Sequence, residues 1–349
     1  MKYKKYKLIC LLLVFFCFIN GLLFDNAHAR QKYLFKMGTV APDGVALAVF
    51  IKKKFTDTIK EVTNKEVGFS WYWGSIMGDE EDFLAKTRIN QLQGAILSVG
   101  GCLMVCPPIS VLELPFMFNN FDEVAYIRKK MKPRFNELVK QNGYKMLLLV
   151  DQDFDQIYST KYEFRTIDDF KKSKFLTHAG SMEYKMLKVL GAKPMPIGVP
   201  EVASSVRAGV CDAVISPALW WLGTQLYTVT KFVNTTQFRY SPLMLVLSAK
   251  AWDKLPEKHK IAINKELPEL EEILCEVLHD GNEKGLRGMI NYGVKEVVLT
   301  PKELDAFKKK TESMWDDLIG DEYPKELLDE VKMYLKEYRS MKSNIKNKS

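Results

Sequence analysis

The side chains best suited to chemistry are Asp151, Asp153 and Asp155, at alternate positions, and His178 further along the chain. An imidazole beside a carboxylate makes an acid–base pair, so His178 with Asp151 or Asp155 is the combination that would move a proton. No nucleophile motif accompanies it. The chain has no Gly-x-Ser-x-Gly elbow, no phosphate-cradling glycine loop and no His-Glu-x-x-His pair. The aspartates alternate as Ca²⁺ ligands do, but the string lacks the glycine and terminal glutamate of an EF-hand loop. It is predicted to be an exposed hinge turn with one ligand-facing polar group, Asp155. Past the leader described next, Cys102, Cys106, Cys211 and Cys275, with His178, His259 and His279, show no metal-ligand spacing. The residues therefore argue against an enzyme, a metal site and a cofactor. They leave broad apolar contact surfaces instead. Trp71 and Trp73 share one face of a strand-like run, with Trp73 nearer its end. Trp220 and Trp221 are adjacent at a helix start, so at most one of them faces a cleft while the other packs in core or at an interface.

The N-terminus sets the compartment. Lys2, Lys4, Lys5 and Lys7 precede an apolar run from Leu8 to Ile19, and Ala27-His28-Ala29 carries small residues at the two positions a signal peptidase reads. This pattern predicts a cleaved secretory leader over 1–29, with cleavage after Ala29 and a periplasmic product. The apolar run is shorter than the roughly 20 residues a spanning helix needs. Removing four lysines and Asp25 takes the formal net charge from +8 to +5. Lys and Glu are mixed along helical faces, which describes a solvated surface and excludes a nucleic-acid stripe. In an oxidising compartment the four remaining cysteines are either paired or buried as thiols.

Elements that would position these residues follow in α/β order. Tyr33 to Thr39 is strand-like, 45–62 an amphipathic helix, Val67 to Trp73 a strand, 80–91 a helix, and Ala95 to Val99 a short strand stopped by Gly100-Gly101. That order predicts a largely parallel sheet. Asn120 with Glu123 starts a further helix, Met146 to Val150 is an apolar strand, and a second α/β unit follows. In it Thr166 caps through Asp169, Lys174 to Thr177 and Ala213 to Ser216 are strands, and 184–190 is helical. Beyond Trp252 the chain becomes mainly helical, with Thr300-Pro301-Lys302-Glu303 as a helix start.

Six segments in this order carry a family resemblance: Gly74-Ser75-Ile76-Met77-Gly78-Asp79-Glu80-Glu81, Leu114-Pro115-Phe116-Met117-Phe118, Arg165-Thr166-Ile167-Asp168-Asp169-Phe170-Lys171, Leu190-Gly191-Ala192-Lys193-Pro194, Ala208-Gly209-Val210-Cys211-Asp212-Ala213 and Trp252-Asp253-Lys254-Leu255-Pro256. Together they resemble the substrate-binding subunits of tripartite ATP-independent periplasmic (TRAP) transporters, the DctP-like family. The resemblance implies a bilobed α/β fold of the periplasmic-binding-protein type, with a hinge, a ligand cleft and a helical C-terminal region. Domain I is expected over 30–151 and about 238–278, and domain II over 152–237 and about 279–349. It also implies a monomer or dimer that captures a small organic ligand by lobe closure and delivers it to membrane permease subunits.

Ligands of open α/β sheets sit beyond the carboxyl ends of strands. The expected lining is therefore Thr39, Val40, Trp73, Ser75, Gly100, Asp155, Leu176, His178, Ser216, Trp220 and Trp221. Two of these depart from the family. Its usual carboxylate-binding arginine, in a K-I-R-V strand, is replaced by Leu176 in Lys174-Phe175-Leu176-Thr177, and a supporting asparagine by Ser216. Two outcomes follow. Either the ligand is a monocarboxylate or an apolar or amphipathic molecule rather than a dicarboxylate, or a carboxylate is still held by another group such as His178 or backbone N–H donors. The first is favoured. A lipid- or partner-binding periplasmic protein on the same fold is the alternative function.

Overall fold

The computed structural model describes residues 31–346; the predicted leader, with Ala29, lies outside them. Two sheets make two lobes. The first has the order β2-β1-β3-β10-β4, from β1 (Tyr33–Thr39), β2 (Val67–Tyr72), β3 (Gly94–Leu97), β4 (Tyr144–Phe154) and β10 (Tyr240–Ser248). The second has the order β11-β9-β5-β8-β6-β7, from β5 (Gln156–Ser159), β6 (Lys174–Thr177), β7 (Lys193–Pro196), β8 (Ala213–Ser216), β9 (Phe232–Asn234) and β11 (Lys295–Val297).

Neither sheet is as parallel as the sequence predicts. β1 runs parallel to β2 and β3, but β10 inserts antiparallel between β3 and β4. β10 is buried along its whole length, so it lacks the alternation that marks a half-exposed strand. The predicted strand end at Val99 is instead a helix start, Val99–Val105, with Gly100 and Gly101 in its first turn. Predicted caps are present: Thr166 with Asp169 and Thr300 with Glu303 form reciprocal capping boxes, and Asn120 accepts from Glu123 N.

The lobes are joined where β4 runs into β5 with only Asp155 between them, and where β9 returns to β10 past Arg239. Asp155 N donates to Arg239 O at 3.0 Å, tying the two crossings together. The predicted exposed turn is therefore a buried crossing: Asp151, Asp153 and Asp155 are all inside the protein. A third connection is the 36-residue helix Glu257–Tyr292, about 54 Å long at 1.5 Å per residue. Its Leu270, Leu274 and Leu278 pack with the first sheet, and Met289 packs in the second lobe. The boundary expected near 278 falls inside this unbroken helix. The last helix, Lys325–Lys346, packs on Phe121–Gln141 of the first lobe, with Arg339 on Glu123 at 2.8 Å, so not all of 279–349 belongs with the second. The four cysteines among the described residues, Cys102, Cys106, Cys211 and Cys275, are buried free thiols.

Among the described residues no helix is long and apolar enough to cross a membrane.

Candidate functional site

The loops after β1, β3, β6 and β8 face one another across a narrow cleft between the sheets, with a wall from the long helix. Thr39 and Val40 come from β1, Ser98 from the loop after β3, His178 from the loop after β6, and Pro217, Leu219 and Trp220 from beyond β8. Leu278 and Asn282 are the long helix's contribution and Gln152 that of β4. The rest of the lining is apolar, and it contains no Lys, Arg, Asp or Glu. The space left is about 50 Å³, a few water molecules' worth where one needs roughly 10–15 Å³.

Three of the polar lining residues, Thr39, Ser98 and Asn282, are placed by specific side-chain holds. Thr39 Oγ1 accepts from Ala41 N at 3.1 Å, and its carbonyl accepts from Ser75 N at 3.1 Å. Asn282 joins three segments, its Oδ1 accepting from Leu219 N at 2.8 Å and its Nδ2 donating to Gln152 O at 2.7 Å. The Glu80 carboxylate accepts from Ser98 N, from Ser98 Oγ at 3.1 Å and from Gly101 N at 2.8 Å. This closes the first turn of Val99–Val105, where a side chain on Gly101 would lie 3.0 Å from Glu80 Cδ. Burial pushes the Glu80 carboxyl up to about 7, against the backbone and hydroxyl donors of Ser98 that pull it down. Between its ordinary 4.5 and about 7 the folded chain thus binds more protons here than the unfolded chain. Glu80 makes the fold less stable as pH rises through that window, by on the order of 3 kcal/mol. Glu80→Gln is expected to flatten the stability profile between those values in chemical denaturation. An unchanged slope would mean that Glu80 is ionised throughout.

The expected ligand residues divide sharply. Thr39, Val40, His178 and Trp220 line the cleft, and Gly100 meets His178 in an adjoining recess near Asp79 and Ser181. Ser75 lies behind Thr39, to which it donates. The other five are placed inside the lobes. Leu176 is 1% exposed and packs with Tyr158, Val202 and Val214. Trp221 stacks on Tyr158 at 4.6 Å and donates to Thr230 Oγ1 at 2.9 Å. Ser216 is buried, and its hydroxyl donates to Pro217 O. Trp73 packs against Trp71, with Lys52 over its ring at 5.4 Å. Asp155 belongs to an ion cluster at the hinge.

In that cluster the fully buried Arg239 contacts Glu113 of the first lobe at 2.7 Å, Asp155 of the crossing at 2.9 Å and Glu183 of the second lobe at 2.8 Å. Burial pushes Glu113 and Asp155 up, and Arg239 pulls the other way. The cluster reaches the cleft through Glu183, whose Oε1 accepts from His178 N at 3.3 Å. The His178 ring lies 5.8 Å from Trp220, and both its nitrogens are sealed from solvent without a hydrogen-bond partner among the described residues. The acid–base pairing with Asp151 considered above does not form: Asp151 bonds Arg128, Tyr240 and His279. At the mouth, Asp79 caps the helix Glu80–Arg88 and accepts from Val199 N at 3.0 Å, bridging the lobes.

Gln152, Val199, Leu278 and Asn282 were not foreseen one by one. Gln152 falls in the aspartate string, but the others come from elements whose approach is set only by tertiary packing.

Two α/β lobes joined by two strand crossings and a long helix, and facing each other across a cleft, make a bilobed fold of the periplasmic-binding-protein type. The sequence matches the family described as bacterial extracellular solute-binding protein, family 7 (DctP), over residues 37–321, and the chain belongs to that family. Its relatives include the 2,3-diketo-L-gulonate-binding periplasmic protein YiaO of Escherichia coli, 23% identical over 313 residues, covering 88% of this chain and 93% of that one. The C4-dicarboxylate-binding periplasmic protein DctP of Rhodobacter capsulatus is 21% identical over 272 residues, covering 76% and 80%. Among solved structures, a TRAP periplasmic solute binding protein of Haemophilus influenzae with bound L-gulonate superposes with a TM-score of 0.81 at 20% identity, covering 87% of this chain and 100% of that one. Another from Sulfurospirillum deleyianum with bound succinate gives 0.80 at 19% identity, covering 86% and 98%. Family and fold are those of TRAP substrate-binding proteins.

Proposed function

We propose that this chain is the exported, periplasmic receptor of a TRAP-type secondary transporter, and that it captures a compact monocarboxylate or an apolar or amphipathic molecule in preference to a dicarboxylate. The carrying observation is the cleft lining, which is apolar and holds no lysine or arginine. The relatives named above are described with sugar-acid and C4-dicarboxylate ligands. A ligand with two carboxylates needs cationic or multiple N–H partners, because an unpaired charge in an apolar slot is strongly disfavoured. Capture works by differential affinity: a ligand that touches Thr39 on one lobe and Trp220 on the other favours the closed form, which then docks on the permease subunits.

Thermal-shift measurement tests the ligand class. A ligand at a hundred times its Kd adds about 2.7 kcal/mol, so a small apolar acid or a neutral molecule is expected to raise Tm by several degrees, and succinate or malate by less. A larger shift with either dicarboxylate overturns the preference.

A further inference from the structure

The cleft offers a ligand few polar groups, and most are already engaged. Thr39 Oγ1 accepts from Ala41 N, the Ser98 hydroxyl donates to Glu80, and the Asn282 amide is taken at both ends by Leu219 N and Gln152 O. Thr39 Oγ1 keeps its hydroxyl hydrogen and Ser98 Oγ its lone pairs, but two lining side chains make no side-chain hydrogen bond at all among the described residues. The Gln152 side-chain amide, only partly buried, makes no hydrogen bond among the described residues, while the two ring nitrogens of His178 are sealed from solvent without a partner there. The imidazole, shut away from water, is stable only when something completes its bonding, and the amide beside it is free to bond the same group.

Charge narrows what that something is. The guanidinium linked to the site through Glu183, Arg239, is already held by Glu113, Asp155 and Glu183. The charged groups directly behind the lining are acids: Glu80 on Ser98, and Glu183 on the backbone of His178. An ionised ligand head would leave water for an apolar slot backed by carboxylates, which disfavours it. An uncharged head meets an amide and an imidazole, each able to donate and accept.

We infer that Gln152 and His178 are the polar anchors of this cleft, and that its ligand is a compact, mostly apolar molecule with one uncharged hydrogen-bonding head, an amide or alcohol rather than a carboxylate. The inference rests on the receptor function proposed above and narrows its ligand class.

Isothermal titration of the exported chain at about pH 8, where carboxylic acids are ionised, tests it with matched probes. These are butanamide against butanoate, and isovaleramide against isovalerate, with isoamyl alcohol, isoamylamine and succinate alongside. Within each pair the amide is expected to bind roughly tenfold or more tightly than the acid, with the alcohol arm separating a hydroxyl from an amide head. His178→Phe and Gln152→Met keep bulk but remove the hydrogen bonds. Each is expected to weaken the amide by roughly tenfold and to bring the amide-to-acid ratio toward one, a ratio that loss of structure alone does not move. Melting curves of the unliganded variants, expected close to the parent, identify any variant that fails to fold. An acid or the amine binding as tightly as the amide overturns the uncharged head while leaving a monofunctional-ligand receptor in place. Succinate as the tightest probe, or no binding by any probe, overturns both.

Discussion

Replacing Arg239 by Met is expected to destabilise the protein by about 3–5 kcal/mol, the usual cost of breaking a buried ion pair from one side. Arg239 is 2% exposed and is the counter-charge for three buried carboxylates, Glu113, Asp155 and Glu183. Without it each must be protonated or stay charged and unpaired. At about 2 °C per kcal/mol for a chain of this size, Tm should fall by roughly 6–10 °C. The sign of the pH dependence follows from the carboxyls. Arg239 holds down groups that burial pushes up, so its removal raises them further, and its stabilisation is greatest where they would be ionised. The gap between parent and variant should therefore widen as pH rises above the ordinary carboxylate range and narrow again on acidification. Glu113→Gln is the contrasting change. Three acids face one guanidinium, and Glu113 Oε1 has no hydrogen-bond partner among the described residues, so removing this charge should alter stability by only about 1 kcal/mol. A Tm for Arg239→Met within a couple of degrees of the parent at the higher pH, or a gap that does not change with pH, would rule out a charge role for the cluster.

The same cluster bears on function, because its members belong to different lobes. Glu113 is in the first, Glu183 in the second, and Asp155 and Arg239 sit in the two crossings. The proposed closure would move the lobes about these crossings, so the cluster is where such a hinge change would be resisted or favoured. Glu183 also holds the backbone of His178, which places the ligand's proposed anchor one bond from the hinge.

Much of the fold was legible because it depends on local signals. The capping boxes at Thr166 and Thr300 use short-range hydrogen bonds that residue type and spacing announce, and β6 and β8 are bounded by turn residues close by. β10 was not legible: Leu243 to Leu247 is apolar on both faces, and its antiparallel place between β3 and β4 is set by a chain return from the other lobe. The site divides in the same way. Val40 and His178 follow directly after strands, which sends them to the cleft, and Thr39 ends β1 with its side chain turned there. Leu176 and Ser216 are within strands, and their side chains pack inside the second lobe. Asn282 lies in the middle of a long helix, and only packing of that helix against the cleft turns it from a surface amide into a tie between segments. The missing arginine at Leu176 was visible in sequence. That the place it leaves is filled by core packing was not.

Trp220→Ala and Trp221→Ala are expected to separate binding from folding. Trp221 is 1% exposed, stacks on Tyr158 with ring planes 12° apart, and donates its indole N–H to Thr230. Truncating it opens a cavity in the second lobe and strips Thr230 of a donor, at a cost of about 3–5 kcal/mol. Tm should fall by roughly 6–10 °C, while Trp221→Phe, which keeps the stack, should lose much less. Trp220 is only partly buried and lines the cleft 5.8 Å from His178. Its truncation would remove the proposed ligand contact and only the edge packing it makes on the buried clusters, about 1–2 kcal/mol, so unliganded Tm should fall by only about 2–4 °C. Affinity for whichever probe gives the largest thermal shift should drop by roughly tenfold or more, since aromatic anchors contribute disproportionately at a binding surface. Equal losses of stability in the two variants would mean that both indoles are core. Equal, negligible losses of affinity would remove Trp220 from the site and leave the cleft without its one large aromatic wall. The asymmetry is demanding because neighbouring residues of one short helix, Ala218–Gly223, must give opposite phenotypes, and only the direction each indole points can produce that.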